Sequence, residues 1–324
     1  MRDNKKIFIL VESILAVMLI LLVVRMFLEK GGESRYQIAV VIQNSDSSQW
    51  ASFKYGLKMA AEDRNMELSI VSTGGTLTTE EEQELLKAEI ARGADAVIVQ
   101  PVPGQETGEM LRKMDKKIPI MLVVCPASEA EEDAALPVTG PDNYLAGKTL
   151  AEELWKDYGK NLEGKAFGIL SEDGSSQAVV SREQGLREVL EDRGAEMRWS
   201  VSGSFTEEGG NILKSLSKVD FVAALDDRSA VAAGKYSAAN DLHGALVYGI
   251  GNSTEAAYYL DTDVLQCLVV PDGFQMGYQS LTELTKRLEH QFQRAKSMTV
   301  ACTVLRREEL FTEKNQELLF TMSQ

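Results

Sequence analysis

The residues of this chain best suited to chemistry are arranged for binding rather than for catalysis. Only two histidines occur, His243 in a loop-like stretch and His290 in a polar helical one, and neither has a partner at metal-ligand spacing. There is no G-x-S-x-G elbow, no C-x-x-C pair, no Walker-type G-x-x-x-x-G-K, and no G-x-G-x-x-G after the first strand. "GIGNST", Gly249 to Thr254, lacks a third glycine and reads as a plain strand-to-helix turn. Cys125, Cys267 and Cys302 lie in apolar runs at spacings that fit no zinc site. Buried thiols are the expected state, with one disulfide the lesser alternative. The acidic run "EEEQE", Glu80 to Glu84, reads as a solvated helix face and not a metal site. With no nucleophile paired to a base, neither an enzyme nor a cofactor is expected.

What remains is a set of polar and aromatic groups just past strand ends. Asn44 to Trp50 follows the first strand, Asp142 and Asn143 open a helix, Phe205 follows Val201, and Asp226 and Asp227 follow "FVAAL". Singly, each is an ordinary turn or cap residue. Open parallel sheets bind ligands beyond the carboxyl ends of their strands, so their joint placement points to a cleft.

The elements that must position these groups alternate between strand and helix. Tyr36 to Gln43 is a near-continuous apolar run of the kind a strand covered on both faces shows. A polar loop leads to a helix with Phe53, Leu57, Ala60 and Ala61 on one face. Strand Met66 to Ser72 follows, then a helix with capping-box residues Thr78, Thr79, Glu81 and Glu82, closed by Gly93. Strand Ala96 to Gln100, helix Glu106 to Lys116 and strand Pro119 to Val124 complete a βαβαβαβ half. The segment "GPDNYLAGKTLAEELWKDYG" then gives an extended piece and a helix with Ala146, Leu150, Ala151 and Leu154 in register. A second half follows, with strands Ala166 to Leu170, Met197 to Val201, Phe221 to Leu225 and Leu246 to Ile250. Its helices start near Ser176, Glu207, Ser229 and Ser253. Past Val270 come one helix, Gln275 to Gln293, one strand, Thr299 to Leu305, and a polar tail. A lone helix and strand cannot form a third domain. The chain is therefore expected to cross between two lobes near Pro141 and Asp142, and again at Pro271, Asp272 and Gly273.

The formal net charge of −15 over 324 residues argues against nucleic acid, whose phosphates call for Lys and Arg. Ile7 to Leu28 is an apolar run long enough, at about 1.5 Å per residue, to cross a hydrocarbon core of about 30 Å. Glu12 and Arg25 lie near its ends, and Arg2, Lys5 and Lys6 precede it, which favours a cytoplasmic N-terminus. No small-x-small cleavage site follows, so a retained single-pass anchor is expected over a cleaved signal peptide, with the rest of the chain outside the cytoplasm.

Four motifs occur in order along these elements: "PDNYLAGKTLAEEL", "SREQGL", "LDDRSAVAAG" and "VVPDGFQMGY". They resemble those of the type I periplasmic sugar-binding proteins, the ribose- and galactose-binding-like family, over Tyr36 to about Arg306. The resemblance implies an α/β fold of two doubly wound parallel-sheet lobes joined by a three-strand hinge. Its segments would be 1–6 in the cytoplasm, 7–28 in the membrane, 29–35 as linker, 36–141 with 272–301 as lobe 1, and 142–271 with 302–324 as lobe 2 and tail. By position, Ser47, Gln49 and Trp50 fall in the first ligand loop. Asn143 and Arg182 match hydroxyl-binding residues, and Asp226 replaces an asparagine with that role. Trp50 and Phe205 could cover the two faces of a sugar ring. The resemblance places the hinge at Pro141, Asp142, Pro271, Asp272 and Gly273. The chain departs from the family at Val124 and Cys125, where an Asp-Arg pair is common, at Gly251, where an Asp is common, and at Pro271, which replaces a ligand-binding glutamine. Such a cleft is less polar than a typical pentose or hexose site. Two functions follow as expectations: delivery of a monosaccharide-like ligand to an ABC permease, or ligand sensing for a histidine kinase by lobe closure. A repressor of the related DNA-binding class is excluded, because an apolar span stands where a helix-turn-helix would precede Tyr36.

Overall fold

A computed structural model describes residues 18–19 and 35–319, apart from 76, 105, 128–134, 204, 206–212 and 291–293. Except for Met18 and Leu19, the expected membrane span Ile7 to Leu28 lies outside the described residues, as does the helix start near Glu207. Among the described residues no helix is long and apolar enough to cross a membrane.

In chain order the first elements are β1 (Gln37–Val41), α1 (Ala51–Asp63), β2 (Glu67–Ile70), α2 (Thr79–Ala91), β3 (Ala96–Val99), α3 (Thr107–Asp115), β4 (Ile120–Val123) and β5 (Val138–Pro141). Next come α4 (Asn143–Asp157), β6 (Ala166–Ser171), α5 (Gln177–Asp192), β7 (Glu196–Ser202), β8 (Phe221–Ala224), α6 (Asp227–Ala238), β9 (Leu246–Ile250), α7 (Thr254–Asp261) and β10 (Leu265–Pro271). The chain closes with α8 (Gly273–Glu289), β11 (Met298–Val300), β12 (Cys302–Leu305) and α9 (Glu313–Leu319).

Two six-stranded sheets result, ordered β11-β5-β4-β3-β1-β2 and β12-β10-β9-β8-β6-β7. Their strands pair in parallel except β12, which runs antiparallel to β10. β1 shows why these strands read as unbroken apolar runs. Ile38 and Val40 enter a core with Phe53 and Leu57 of α1, while Ala39 and Val41 enter another with Leu86 of α2 and Leu111 of α3. Both faces are covered, so the period of two produces no polar alternation. The second sheet is built the same way, with α4 and α5 over one face and α6 and α7 over the other.

Each lobe holds a helix pair at backbone contact, and glycines permit it. On α1 and α8, a Cβ at Gly56 would lie 2.1 Å from the Phe274 carbonyl oxygen, and one at Gly277 would lie 2.1 Å from that of Phe53. The α4 and α5 pair repeats the device, with Gly147 against the Arg182 carbonyl and Gly185 against that of Tyr144. Three of the four glycines lie in the motifs that carry the family resemblance, which gives those motifs a packing reason.

The chain passes from the first sheet to the second between β5 and α4, and returns between β10 and α8. It passes over once more between β11 and β12, where Ala301 alone separates strands of different sheets. The single strand expected over Thr299 to Leu305 is therefore two. β5 adds a strand to the expected first half, paired with β4 and β11. The tail is not merely polar, because Leu310 and Leu319 are buried in the core of the second lobe. The "EEEQE" run is not wholly solvated either. Helical periodicity puts Glu82 on the inner face of α2 with Leu86 and Glu89. Fully buried, it accepts a hydrogen bond from the Val102 N–H at 3.0 Å, which braces the loop after β3. Burial pushes the Glu82 carboxyl up to about 7, with the Val102 N–H pulling the other way.

Candidate functional site

The carboxyl-end loops of the two sheets enclose a cavity of about 140 Å³. From lobe 1 come Gln49 and Trp50 after β1, Gln100 after β3, and Val124 and Cys125 after β4. Ser47 caps a short 3-10 turn, Ser48–Trp50, that delivers Trp50 to the wall. The indole is fixed from behind. Its Nε1 donates to the Gln43 carbonyl at 2.9 Å, and it packs edge-on to Phe53 with 5.4 Å between centroids. Burial pushes the Cys125 thiol up to about 11, and all three cysteines are free.

Lobe 2 supplies Glu172 and Asp173 after β6, Arg182 from α5, Asp226 and Asp227 after β8, and Asn252 after β9. Asp226 caps α6, one oxygen accepting from the Ser229 N–H at 2.8 Å and the other from the Glu172 N–H at 2.6 Å. Asp227 Oδ1 accepts from the N–H groups of Asn252 and Ser253 at 2.8 and 2.7 Å. These adjacent carboxylates thus bind three strand-end loops together. Burial pushes both upward, while their N–H donors, and for Asp226 the charge of Arg182, pull them back. Glu172 is also raised by burial, and Arg228, which donates to it at 2.5 Å, opposes this.

Arg182 is only 7% exposed. Its Nε donates to Asn143 Oδ1 at 2.8 Å and its Nη1 to the Leu225 carbonyl at 2.8 Å. Burial lowers its pKa and Asp226 raises it. Asn143 in turn donates from Nδ2 to the Val124 carbonyl at 2.9 Å, linking lobe 2 to the end of β4. Val124 sits at φ 75°, a strained setting for a β-branched residue. Two further contacts bridge the lobes at the mouth: Asn252 Nδ2 to the Gln49 carbonyl at 2.9 Å, and Ser48 Oγ to Glu255 Oε2 at 2.5 Å.

Of the residues singled out in the sequence, Gln49, Trp50, Arg182 and Asp226 line the cavity. Asn143 stands behind it, holding Arg182. Ser47 and Phe205 line a separate groove of about 490 Å³ beside Arg228 and Glu255. Trp50 and Phe205 therefore do not face each other across one cavity, because Phe205 follows β7, the outer strand of its sheet. Pro141 and Pro271 end their strands at the cavity floor. The residues after them, Asp142 and Asp272, cap the helices of the opposite lobe, accepting from the N–H groups of Leu145 and Gln275 at 2.9 Å each. At Gly273 a Cβ would lie 3.2 Å from Ser52 Cβ. Asp227 was read only as part of a strand-end pair, and Glu172, Asp173, Gln100 and Asn252 were not among the sequence candidates for ligand contact. Their common signal is position, one to three residues past the end of a parallel strand.

Two parallel-sheet lobes with a cavity between their carboxyl edges define a two-lobed binding protein of the periplasmic type. The family model described as "Periplasmic binding protein domain" matches residues 38–291. The chain belongs to that family, and its members are binding proteins rather than enzymes. Solved structures share the fold. The glucose-galactose binding protein GanP of Geobacillus stearothermophilus is 19% identical with a TM-score of 0.73, covering 86% of this chain and 100% of its own. A carbohydrate transporter solute-binding protein of Agrobacterium radiobacter, in complex with D-arabinose, is 17% identical with a TM-score of 0.76, covering 89% and 100%. An ABC transporter solute-binding protein of Bacillus halodurans C-125 with bound myo-inositol is 19% identical with a TM-score of 0.74, covering 89% and 99%. A comparison with curated protein sequences finds no match.

Proposed function

We propose that the chain is an extracytoplasmic solute-binding protein that captures a small sugar-like ligand between its lobes for an ABC transporter. The observation that carries this reading is the cavity itself, set between two lobes, with Arg182 and Asp227 buried and Asp226 half-buried around it. The ring and polyol ligands named for similar structures support it. Gln49, Trp50, Arg182 and Asp226 are assigned to ligand contact, Asn143 to positioning Arg182, and Ser47 and Phe205 to the neighbouring groove. Closure would turn about a hinge at Pro141-Asp142, Pro271-Asp272-Gly273 and Ala301, between lobe 1 at 36–141 with 272–301 and lobe 2 at 142–271 with 302–324. The apolar run Ile7 to Leu28 would tether the protein to the membrane as a single span.

That run, with no cleavage site behind it, also favours a second reading in which the anchored lobes report ligand to a sensor histidine kinase. Neighbouring genes for a permease and ATPase would support delivery; genes for a kinase and response regulator would support sensing. Capture is tested by the melting temperature of the full chain in detergent against monosaccharides, their amino derivatives and inositols, since a ligand selective for the folded form raises it. A panel without any shift refutes sugar capture.

A further inference from the structure

The two walls of the cavity differ in charge. Lobe 1 lines it with neutral and apolar groups, among them Gln43, Gln49, Gln100, Trp50 and Val124, and none of its lining residues is charged. Lobe 2 brings four carboxylates, Glu172, Asp173, Asp226 and Asp227, against the one guanidinium of Arg182. Arg228 offsets Glu172. Arg182 donates hydrogen bonds to two neutral acceptors, Asn143 Oδ1 and the Leu225 carbonyl. Asp226 and Asp227 are held by backbone N–H groups, and neither forms a salt bridge among the described residues. Carboxylates therefore outnumber guanidinium groups around the cavity, and a carboxylate held partly out of water is stabilised by a counter-charge.

A metal ion does not fit that need: among the described residues no group of three or more His, Cys, Asp or Glu is placed to hold one. The carboxylates are spread along one wall, which suits a cation carried on a larger hydrogen-bonding body. The opposite wall offers Trp50, the side chain whose ring face attracts cations best. We infer that the captured ligand is a small polyol bearing a protonated amine, such as a hexosamine. Its ammonium lies against the Asp226 and Asp227 wall, and its hydroxyls meet the amides of lobe 1. This rests on the proposed capture of a sugar-like ligand. The cavity itself is defined by the facing sheets and not by its acids.

Matched series test it: D-glucose, D-glucosamine and N-acetyl-D-glucosamine, with the galacto and manno equivalents, titrated into the full chain at pH 6.5. Tryptophan fluorescence and melting temperature are the readouts. At least one free amine should bind about tenfold or more tighter than both its hexose and its N-acetyl form, the equivalent of one moderately screened charge pair. Equal or tighter binding of a hexose or N-acetyl form overturns the amine inference and leaves sugar capture standing. If no member of any series produces a change, both readings fall together.

Discussion

Truncating Asn143 to alanine removes two hydrogen bonds. The buried Arg182 Nε–H loses its acceptor, and the Val124 carbonyl loses its donor. A hydrogen bond to a charged group contributes about 1.5–3 kcal/mol and a neutral one about 1 kcal/mol, so the loss should be about 3 kcal/mol. For a chain of this size that lowers the melting temperature by roughly 4 °C, read by circular dichroism or a dye-based scan of the full chain. Asn143→Asp supplies the internal control. It keeps an acceptor for Arg182, now as an ion pair, but sets a carboxylate oxygen against the Val124 carbonyl, so it separates the two bonds rather than restoring both. Combining Asn143→Ala with Arg182→Met should cost less than the sum of the two, since both act on one bond. A change of under about 1 °C for Asn143→Ala would refute the relay and return Asn143 to direct ligand contact.

Gly147→Ala should destabilise by about 3 kcal/mol or more, because its Cβ would lie 1.9 Å from the Arg182 carbonyl oxygen. Gly159→Ala, at φ 61° in open space, should cost only about 1 kcal/mol; thermal scans of both that rank them the other way contradict the helix contact. Glu82 has its folded pKa raised to about 7 from 4.5, so the folded state binds the extra proton and stability from this group declines as pH rises from 4.5 to 7. Glu82→Gln carries an unpaired amide at every pH, so it should fall about 1 kcal/mol below the parent near pH 4.5 and exceed it by about 2 kcal/mol at pH 8; denaturant midpoints that show no widening gap rule this out. Asn252→Ala removes the bond to the Gln49 carbonyl across the mouth and should raise the radius of gyration in small-angle scattering. An unchanged value would mean that the bond does not hold the lobes together.

The α/β class and the pair of parallel sheets were legible because burial on both faces leaves a plain mark, the unbroken apolar strand. Helix starts were legible where caps announced them, as at Thr78, and Gly93 closes its helix at φ 101°. Other features left no local mark. β5, "VTGP", is buried without being an apolar run. "MTVACTVL" gives no cue to break at Ala301, because the break arises from two sheets competing for adjacent residues. Leu310 and Leu319 are too far apart to show a period, and Glu82 looks like its exposed neighbours until the loop with Val102 needs an acceptor. At the site, residue types at strand ends could be read, but not strand order, which sends Phe205 to the neighbouring groove. Nor could the sequence show that Asn143 uses both amide atoms within the protein, or that two backbone N–H groups fix the Asp226 carboxylate.

The link at Ala301 bears on how the lobes can move. Three connections join the sheets, and the second and third are tied directly, the Asp272 N–H donating to the Ala301 carbonyl at 2.9 Å. One strap would let the lobes swivel freely, and two would still allow a twist. Three short straps, one only a single residue long, should resist shear more than folding about the line they share. Under the proposed closure, an event in the cavity would reach the outer surface chiefly as a change in the angle between the lobes.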